Sequence, residues 1–395
     1  MDDPWLSVIG LGEDGLNGLT GASRAALERA EVVFGGPRHL ALAEIGARGR
    51  PWPVPFSTEP VLALRGQRVA VLASGDPFWF GAGGSLSADL APGEWRAFPA
   101  PSTAALAASR LGWRLEEICV IGLHAAPFAR LVPVLSRGAR MICLLRDAAA
   151  PQALAHWLTA QGFGASRLWL LQALGGPRER IAETRAEAFE ASDCETPVAV
   201  AIEAFGAVGL SAVPGRSDAL FASDGQITKA PIRALTLAAL APRANERLWD
   251  LGAGSGAISV EWALAAPGCR AEAVEPRADR CANIARNAED FGLSHRITPH
   301  QASAPEALAA LPKPDAVFLG GGANPAVLRV LWARLPIGTR LVANAVTLET
   351  EALLVAQHAQ LGGQLLRIDI AQASPLGRMR GWTPARPITQ WSVTR

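Results

Sequence analysis

The chain has 395 residues, of which 50% are hydrophobic and 18% are charged, with 37 basic and 36 acidic residues. A chain of this length exceeds the size at which one hydrophobic core keeps growing, so two domains are expected. The formal net charge of +1 excludes a protein that binds nucleic acid mainly by neutralising phosphates, and no nucleic-acid partner is expected.

The cysteines are widely spaced and form no CxxC pair: Cys119, Cys143, Cys194, Cys269 and Cys281. This spacing predicts neither a zinc site nor a disulfide framework, and no metal is expected. The acidic start of the chain contains no apolar segment, and no run approaches the roughly 18 apolar residues of a membrane span. We therefore expect a cytoplasmic protein with no membrane partner.

Short apolar runs alternate with helical patterns in the first half, as is typical of α/β domains. Strands are predicted at 6–9, 69–73, 119–121, 141–145, 168–171 and 198–202, and helices at 22–30, 104–111 and 152–160. The stretch 206–218 contains Gly206, Gly209 and Pro214-Gly215 and is predicted to be a linker. It separates a domain at 1–205 from a second domain at 219–395.

The second half restarts the same alternation. Thr228 is expected to cap a helix, and Gly292 is expected to end another that covers 281–291. Strands are predicted at 247–251, 271–274, 315–319, 340–344 and 365–370, with a further helix at 257–265. Both halves are therefore expected to be α/β with largely parallel sheets.

A glycine-rich motif, DLGAGSG, starts at Asp250 and follows a predicted strand. Glycines let backbone amides approach a ligand, and the N-terminus of the next helix favours negative charge such as a carboxylate. The next strand ends at Glu275, whose carboxylate can bind both ribose hydroxyls of an adenosine. A tight β–α turn with Glu275 as a solvated acid is the structural alternative. Dinucleotide folds normally use the spacing G-x-G-x-x-G, which disfavours a nicotinamide enzyme.

The G-x-G-x-G spacing resembles motif I of S-adenosylmethionine (SAM) methyltransferases. The segments ITK at 227–229, LWDLGAGSG at 248–256, PEAL at 305–308, PDAVFLGG at 314–321 and LVANAVTLE at 341–349 follow in order. Together they make residues 219–395 similar to the precorrin-6B, or cobalt-precorrin-6B, C15-methyltransferase (decarboxylating) family. This resemblance implies a Rossmann-like SAM-dependent methyltransferase domain. It also implies that SAM is held by Thr228, Gly252, Ala253, Gly254, Ser255, Gly256, Glu275 and the backbone of Ala302, Ser303 and Ala304.

Three loops in the first half follow predicted strands: GLGEDG at 10–15, SGDPFWFG at 74–81 and PST at 101–103. Each alone also fits an ordinary turn or helix N-cap. In order and spacing they resemble the tetrapyrrole methylase family, and GGPRHL at 35–40 with Leu123-His124 narrows this to the branch that methylates precorrins at C5. Phe80 stands where many relatives carry tyrosine.

This second resemblance covers about 1–205 and implies a tetrapyrrole methylase fold with two α/β subdomains. SAM would be bound by Ser74, Gly75, Asp76, Ser102 and Thr103, while the loop at 8–15 lines the substrate cleft. Arg38 and His39 are candidate substrate contacts, with a capping or core role as the alternative for either.

The order of the two halves is that of the bifunctional precorrin-6B C5,15-methyltransferase (decarboxylating) family of cobalamin biosynthesis. The resemblance implies methylation at C5 and C15, decarboxylation of the ring C acetate, one SAM site per domain and precorrin-8 as the product. It also implies a homo-oligomer. A different acceptor, such as the cobalt-containing precorrin-6B, is the alternative. A non-catalytic protein that binds SAM or a tetrapyrrole is another.

The substrate of this family has many carboxylates, so basic pocket walls are expected. Arg378 and Arg380, with Arg367, surround the segment SPLG at 374–377. We predict a carboxylate-binding loop here, because arginine binds carboxylates in a fixed, bidentate geometry. A solvated basic tail is the alternative.

Overall fold

A computed structural model describes residues 4–190 and 193–395. The chain divides into two compact units, one made of Met1–Phe128 and Val134–Val208, the other of Ala129–Pro133 and Gly209–Arg395. The division between residues 208 and 209 falls inside the expected linker. Arg216 from that stretch is buried and ion-paired with Glu261. The later part of the expected linker is therefore an integral part of the second unit.

The first unit begins with a five-stranded sheet of order β3-β2-β4-β1-β5, in which all neighbours are parallel. Its strands are β1 (Leu6–Leu11), β2 (Val32–Gly35), β3 (Gly49–Pro51), β4 (Val69–Ser74) and β5 (Trp95–Phe98). The helices are α1 (Gly21–Arg29), α2 (Pro37–Leu42), α3 (Glu59–Leu62) and α4 (Ala82–Ser87). Strands β1 and β4 are apolar and almost fully buried, as expected of central strands covered on both faces.

The second sheet of this unit has the order β6-β7-β10-β8-β9. It contains β6 (Cys119–Gly122), β7 (Arg140–Leu144), β8 (Arg167–Gln172), β9 (Arg180–Arg185) and β10 (Val198–Glu203), with helices α5 (Thr103–Leu111) and α6 (Ala150–Ala160). Strands β6 and β7 are parallel, whereas β10 is antiparallel to β7 and β8, and β8 to β9. The expectation of a largely parallel sheet is wrong here. A short buried apolar run looks the same in either strand direction.

The second unit contains a seven-stranded sheet of order β13-β12-β11-β14-β15-β19-β16. The strands are β11 (Arg247–Leu251), β12 (Arg270–Glu275), β13 (Ile297–Gln301), β14 (Ala316–Leu319), β15 (Arg340–Ala345), β16 (Gln364–Ile368) and β19 (Ile388–Thr394), and β17 (Ala371–Leu376) pairs with β18 (Met379–Pro384) as a separate hairpin. The helices are α7 (Ala230–Leu240), α8 (Ala257–Ala265), α9 (Ala278–Asp290), α10 (Pro325–Arg334) and α11 (Leu348–Leu361). Strands β11 to β15 are parallel, and β19 is antiparallel to both of its neighbours.

Helix α7 begins differently from the sequence prediction. Its N-cap residue is Lys229, which makes no side-chain cap. Asp218 Oδ1 instead accepts a hydrogen bond of 3.0 Å from the backbone N–H of Ala230. The prediction that Thr228 caps this helix is wrong, because the capping carboxylate comes from an earlier turn.

A buried ion-pair cluster holds that earlier turn against α7 and α8. Arg233 is fully buried and lies 2.7 Å from Asp218 and 3.4 Å from Glu261. Its guanidinium also lies over the ring of Phe221, 4.7 Å from the centroid. Buried charges require partners of this kind, because an unpaired charge in the interior is very costly.

No helix in residues 4–190 and 193–395 is long and apolar enough to cross a membrane. Within the same ranges, no group of three or more His, Cys, Asp or Glu side chains is arranged to hold a metal ion. The cysteines in the structure are free thiols.

Candidate functional site

The glycine-rich loop of the second unit connects β11 to α8. The backbone N–H groups of Gly252 and Ala253 both donate to the carbonyl oxygen of Val274, at 2.9 and 3.1 Å. These bonds attach the loop to the end of β12. The ends of β11 and β12 therefore meet at one edge of the sheet, where ligands bind in open α/β folds.

Glu275 completes this edge. It is 3% exposed, and its Oε2 accepts a hydrogen bond of 2.9 Å from the N–H of Gly254. Its Oε1 accepts from the N–H of Arg277 at 3.2 Å, and its carbonyl oxygen accepts from Ala302 at 3.2 Å. The structure thus brings together the glycine loop, Glu275 and the segment 302–304, as the resemblance implies. Glu275 is a fixed buried carboxylate, so the solvated-acid alternative is wrong.

The three glycines of this loop differ in their surroundings. An ideal Cβ on Gly252 would lie 2.7 Å from the carbonyl oxygen of Gly321, and one on Gly256 would lie 3.0 Å from Ile284. A Cβ on Gly254 would meet no atom within 4 Å. The middle of the loop therefore faces open space.

Asp250 lies in β11 and is hydrogen-bonded to α8, the helix that follows the glycine loop. It is fully buried, and its Oδ2 accepts hydrogen bonds from the N–H and hydroxyl of Ser259 at 3.1 and 2.7 Å. Its Oδ1 is buried without a hydrogen-bond partner. Burial is the main cause that raises the pKa of Asp250 to about 6, with a smaller contribution from the nearby carboxylate of Glu275.

Asn287 is a supporting residue that the sequence analysis missed. It is fully buried on α9, and its Nδ2 donates to the carbonyl oxygens of Ser255 and Ala222 at 2.8 and 2.9 Å. These bonds tie the glycine loop to the segment before α7. A single asparagine in an amphipathic helix carries no sequence signal for this role.

Other candidate residues of the second unit make contacts with segments other than the glycine loop. The carbonyl oxygen of Thr228 accepts a hydrogen bond from Arg233, so the buried ion-pair cluster sets its position. Arg378 lies in the turn between β17 and β18, and Arg380 pairs in register with Pro375. Both arginines are exposed on this hairpin. Arg367 is ion-paired with Glu351 on α11 and with Asp369, two residues further along the chain.

In the first unit, the loops after β1, β4 and β5 meet at one edge of the parallel sheet. The N–H of Gly75 donates to Leu11 at 3.0 Å, and the N–H of Ala100 donates to Gly75 at 3.2 Å. An ideal Cβ on Gly10 would lie 1.9 Å from the carbonyl oxygen of Gly75. Only glycine at position 10 allows the first two loops to approach this closely.

A cavity of about 730 Å³ lies beside these loops. Its walls include most of the candidate residues of the first unit, namely Arg38, His39, Ser74, Gly75, Ser102 and Thr103. Asp76 is the candidate that does not line it. The substrate-contact and cofactor-contact candidates therefore share one cavity in this unit.

Arg38 links two of the loops. It forms an ion pair with Glu13, which is 7% exposed, and its Nη2 donates to Ser74 Oγ at 2.9 Å. His39 Nε2 lies 2.8 Å from the same hydroxyl. Burial, followed by the charge of Arg38, lowers the pKa of His39 to about 4, so His39 is neutral at physiological pH. Sequence reasoning missed Glu13, because only the fold places it beside Arg38.

The side chains of two candidate residues in this unit accept hydrogen bonds from backbone N–H groups. Ser102 Oγ accepts a hydrogen bond of 3.2 Å from Ala105 and so caps α5. Asp76 Oδ1 accepts from the N–H of Phe78 at 2.8 Å and shapes the loop after β4. These two residues can contribute backbone groups to a ligand while their side chains hold the loops in place.

Two family models match the chain. One, described as Tetrapyrrole (Corrin/Porphyrin) Methylases, matches residues 6–190, and the other, described as a precorrin methyltransferase domain, matches residues 219–395. A solved structure of the C-terminal domain of precorrin-6Y C5,15-methyltransferase from Rhodobacter capsulatus is 62% identical. It covers 47% of this chain and 100% of that chain, with a TM-score of 0.46.

Two curated relatives cover nearly the whole chain. The precorrin-6Y C(5,15)-methyltransferase (decarboxylating) of a Sinorhizobium species is 48% identical, over 99% of this chain and 97% of the relative. The protein of the same name from Mycobacterium tuberculosis is 41% identical, over 98% of this chain and 99% of the relative. The chain therefore belongs to the precorrin-6Y C(5,15)-methyltransferase (decarboxylating) family, with an N-terminal tetrapyrrole methylase domain and a C-terminal methyltransferase domain.

Proposed function

We propose that this protein methylates precorrin-6B at C5 and C15 and removes the carboxyl group of the ring C acetate as carbon dioxide, giving precorrin-8. The first unit, expected at 1–205, carries the C5 reaction. The second, expected at 219–395, carries the C15 reaction and the decarboxylation. The observation that carries this proposal is that one chain contains two sheet edges of different construction, each with a glycine-rich loop. Its full-length relatives are named for two methylations and a decarboxylation.

The glycine-loop edge of the second unit fits SAM. The open space beside Gly254 leaves room for a ligand against the loop, and Glu275 lies beside that loop with its carboxylate fixed. When bound, SAM supplies an electrophilic methyl group. Glu275 would hold the ribose, and the loop backbone from Gly252 to Gly256 and the backbone of 302–304 would hold the rest of the cofactor. Fixing the position of a reactant in this way lowers the entropic part of the barrier.

The cavity of the first unit supports a second SAM site. The backbone of Gly75 and of 102–103 would bind the cofactor, since the three strand-end loops converge there. Arg38 and Glu13 hold the first two loops together, and neutral His39 presents a weakly basic ring at the cavity wall. Arg38 therefore acts as a positioning residue in this proposal.

The hairpin arginines remain the candidate carboxylate-binding groups of the second unit. Arg378 and Arg380 are exposed, and exposed guanidinium groups can bind substrate carboxylates without a large desolvation cost. Replacing both by alanine should weaken binding of precorrin-6B and leave SAM affinity unchanged. Unchanged substrate affinity would contradict this role.

The same hairpin supports a homo-oligomer. Leu376 and Met379, which pair in register and so share one face, are 69% and 78% exposed. Apolar side chains clustered on a surface mark an interaction site more often than scattered ones do. The variant Met379→Ser should lower the mass measured by light scattering, whereas Ile337→Ser, at a residue 90% exposed elsewhere in the unit, should not. An unchanged mass in both variants would contradict an interface at this hairpin.

The proposed function is tested by supplying precorrin-6B and SAM and following the product by mass spectrometry. Two methyl additions and the loss of one carbon dioxide are expected. Cobalt-containing precorrin-6B serves as the parallel acceptor, and preferential turnover of it would favour the alternative substrate. The separate fragments 1–208 and 209–395, cut where the two units divide, should give C5 methylation, and C15 methylation with decarboxylation, respectively. SAM binding without turnover of either tetrapyrrole would favour a non-catalytic binding protein.

A further inference from the structure

Phe80 has an unusual backbone conformation. Its φ is +57°, in the left-handed region, where an aromatic residue is an outlier. The preceding turn is held by the bond from the N–H of Trp79 to the carbonyl oxygen of Asp76 at 3.0 Å, and by the cap of Asp76 on Phe78. Strain of this kind persists where the surrounding structure fixes it, and it clusters at ligand sites.

The strained backbone places the Phe80 ring at the cavity wall. An ideal Cβ on Gly122 would lie 3.0 Å from Cδ1 of this ring, so glycine leaves the space that the ring occupies. The imidazole of His124 lies edge-on to the ring, with centroids 6.4 Å apart and an interplanar angle of 88°. The ring is therefore supported by Gly122 and His124, yet 54% of Phe80 is exposed.

The same cavity has an aromatic, uncharged character. Trp52, Phe56 and Trp79 also line it, and Phe56 and Trp79 are about half exposed. Of the lining residues, Glu13 and Arg38 are the ones with full charges, and they neutralise each other as an ion pair. The cavity wall is thus suited to the apolar face of a flat ligand, with the ligand's charged groups elsewhere.

We propose that Phe80 is a substrate-binding residue of the first unit, against whose exposed ring the conjugated face of a tetrapyrrole stacks. This inference rests on the proposed function and names the surface that receives the substrate. The adenine of SAM is also flat and conjugated. The tetrapyrrole is favoured because several aromatic side chains line the cavity, whereas one ring suffices to cover an adenine. Aromatic rings stabilise such ligands by burial and by offset stacking.

The test uses the full-length protein with Phe80→Ala, Phe80→Gly and Phe80→Tyr. Loss of the ring should raise the KM for precorrin-6B in C5 methylation by about tenfold. The Kd for SAM, measured by calorimetry, should change less than twofold. Phe80→Tyr keeps the ring and should behave as the wild type. The unfolding temperature of Phe80→Gly should be about 2–4 °C higher than that of Phe80→Ala, because glycine adopts positive φ without strain.

A matched control is Glu44→Gly, since Glu44 is exposed with a φ of +51° and does not line the cavity. This variant removes a similar strain and should leave both ligands unaffected. Decarboxylation by the second unit is the internal control for each variant. Unchanged KM in Phe80→Ala and Phe80→Gly, or a loss confined to SAM binding, overturns the proposal. A wild-type protein that does not convert precorrin-6B overturns the proposed function instead.

Discussion

Replacing Gly254 by alanine distinguishes an effect on folding stability from an effect on SAM binding. Gly254 has a φ of +58°, and a Cβ added there meets no protein atom within 4 Å. Alanine in the left-handed region costs about 1–2 kcal/mol, offset in part by a less flexible unfolded chain. The expected net loss of about 1 kcal/mol corresponds to a fall of about 2–4 °C in the unfolding temperature of a unit of this size.

The same methyl group projects into the space proposed for SAM. Forcing one extra methyl into a packed site costs about 1–3 kcal/mol, which raises the Kd about 5- to 150-fold. Titration calorimetry of the full-length protein with SAM should therefore show this weakening for the binding event of the second unit and an unchanged Kd for that of the first. At a SAM concentration near the wild-type Kd, mass spectrometry should show that C15 methylation is slowed while C5 methylation persists.

The matched control is Gly377→Ala. Gly377 lies in the β17–β18 turn with a φ of +59°, and its added Cβ also meets nothing within 4 Å. The backbone cost is thus the same, and SAM binding should be unaffected. Wild-type SAM affinity in Gly254→Ala, or an equal loss in both variants, would refute the assignment of the open space to the cofactor.

Three further variants test other parts of the structure. The raised pKa of Asp250, about 6 against 3.8 for the exposed group, means that this carboxyl contributes stability below pH 3.8 that is lost as pH rises through 6. Unfolding free energies should show the wild type losing about 2 kcal/mol relative to Asp250→Asn between pH 4 and pH 7, and parallel pH profiles would contradict this. Arg233→Met should cost about 3–5 kcal/mol in denaturant unfolding because it breaks buried ion pairs, whereas the exposed Arg367→Met should cost about 1 kcal/mol or less. Glu13→Gln should slow C5 methylation about 10- to 100-fold by releasing Arg38, with decarboxylation as the unaffected control, and equal slowing of both reactions would point to general damage.

Local signals made the glycine loop and Glu275 predictable from the sequence. The strand before Asp250 is a short apolar run, and the acid at position 275 ends the next run, so β–α–β order places both at one sheet edge. The structure agrees, with Glu275 bonded to Gly254. Strands such as β4 were predictable for the same reason, because a buried parallel strand is a continuous apolar run.

Features that depend on distant parts of the chain could not be predicted. Glu13 and Arg38 are separated by a helix and a strand, and neither has a spacing that indicates an ion pair. Strand β9 lies at a sheet edge with mostly exposed side chains, so it lacks the apolar run that marks the inner strands. The cap of α7 by Asp218 needs the segment before the helix to fold back, which no local pattern reports.

The two glycine-rich loops use glycine for different physical reasons. In the first unit, a Cβ at Gly10 would collide with the backbone of Gly75, so glycine there serves the contact between two loops. In the second unit, Gly252 and Gly256 also have close protein neighbours, whereas Gly254 has none. The fold requires only the backbone angle at Gly254, and asparagine would tolerate that angle better than most residues. A side chain of that size at position 254 would fill the open space, so the proposed cofactor, which needs the same space, would account for the glycine.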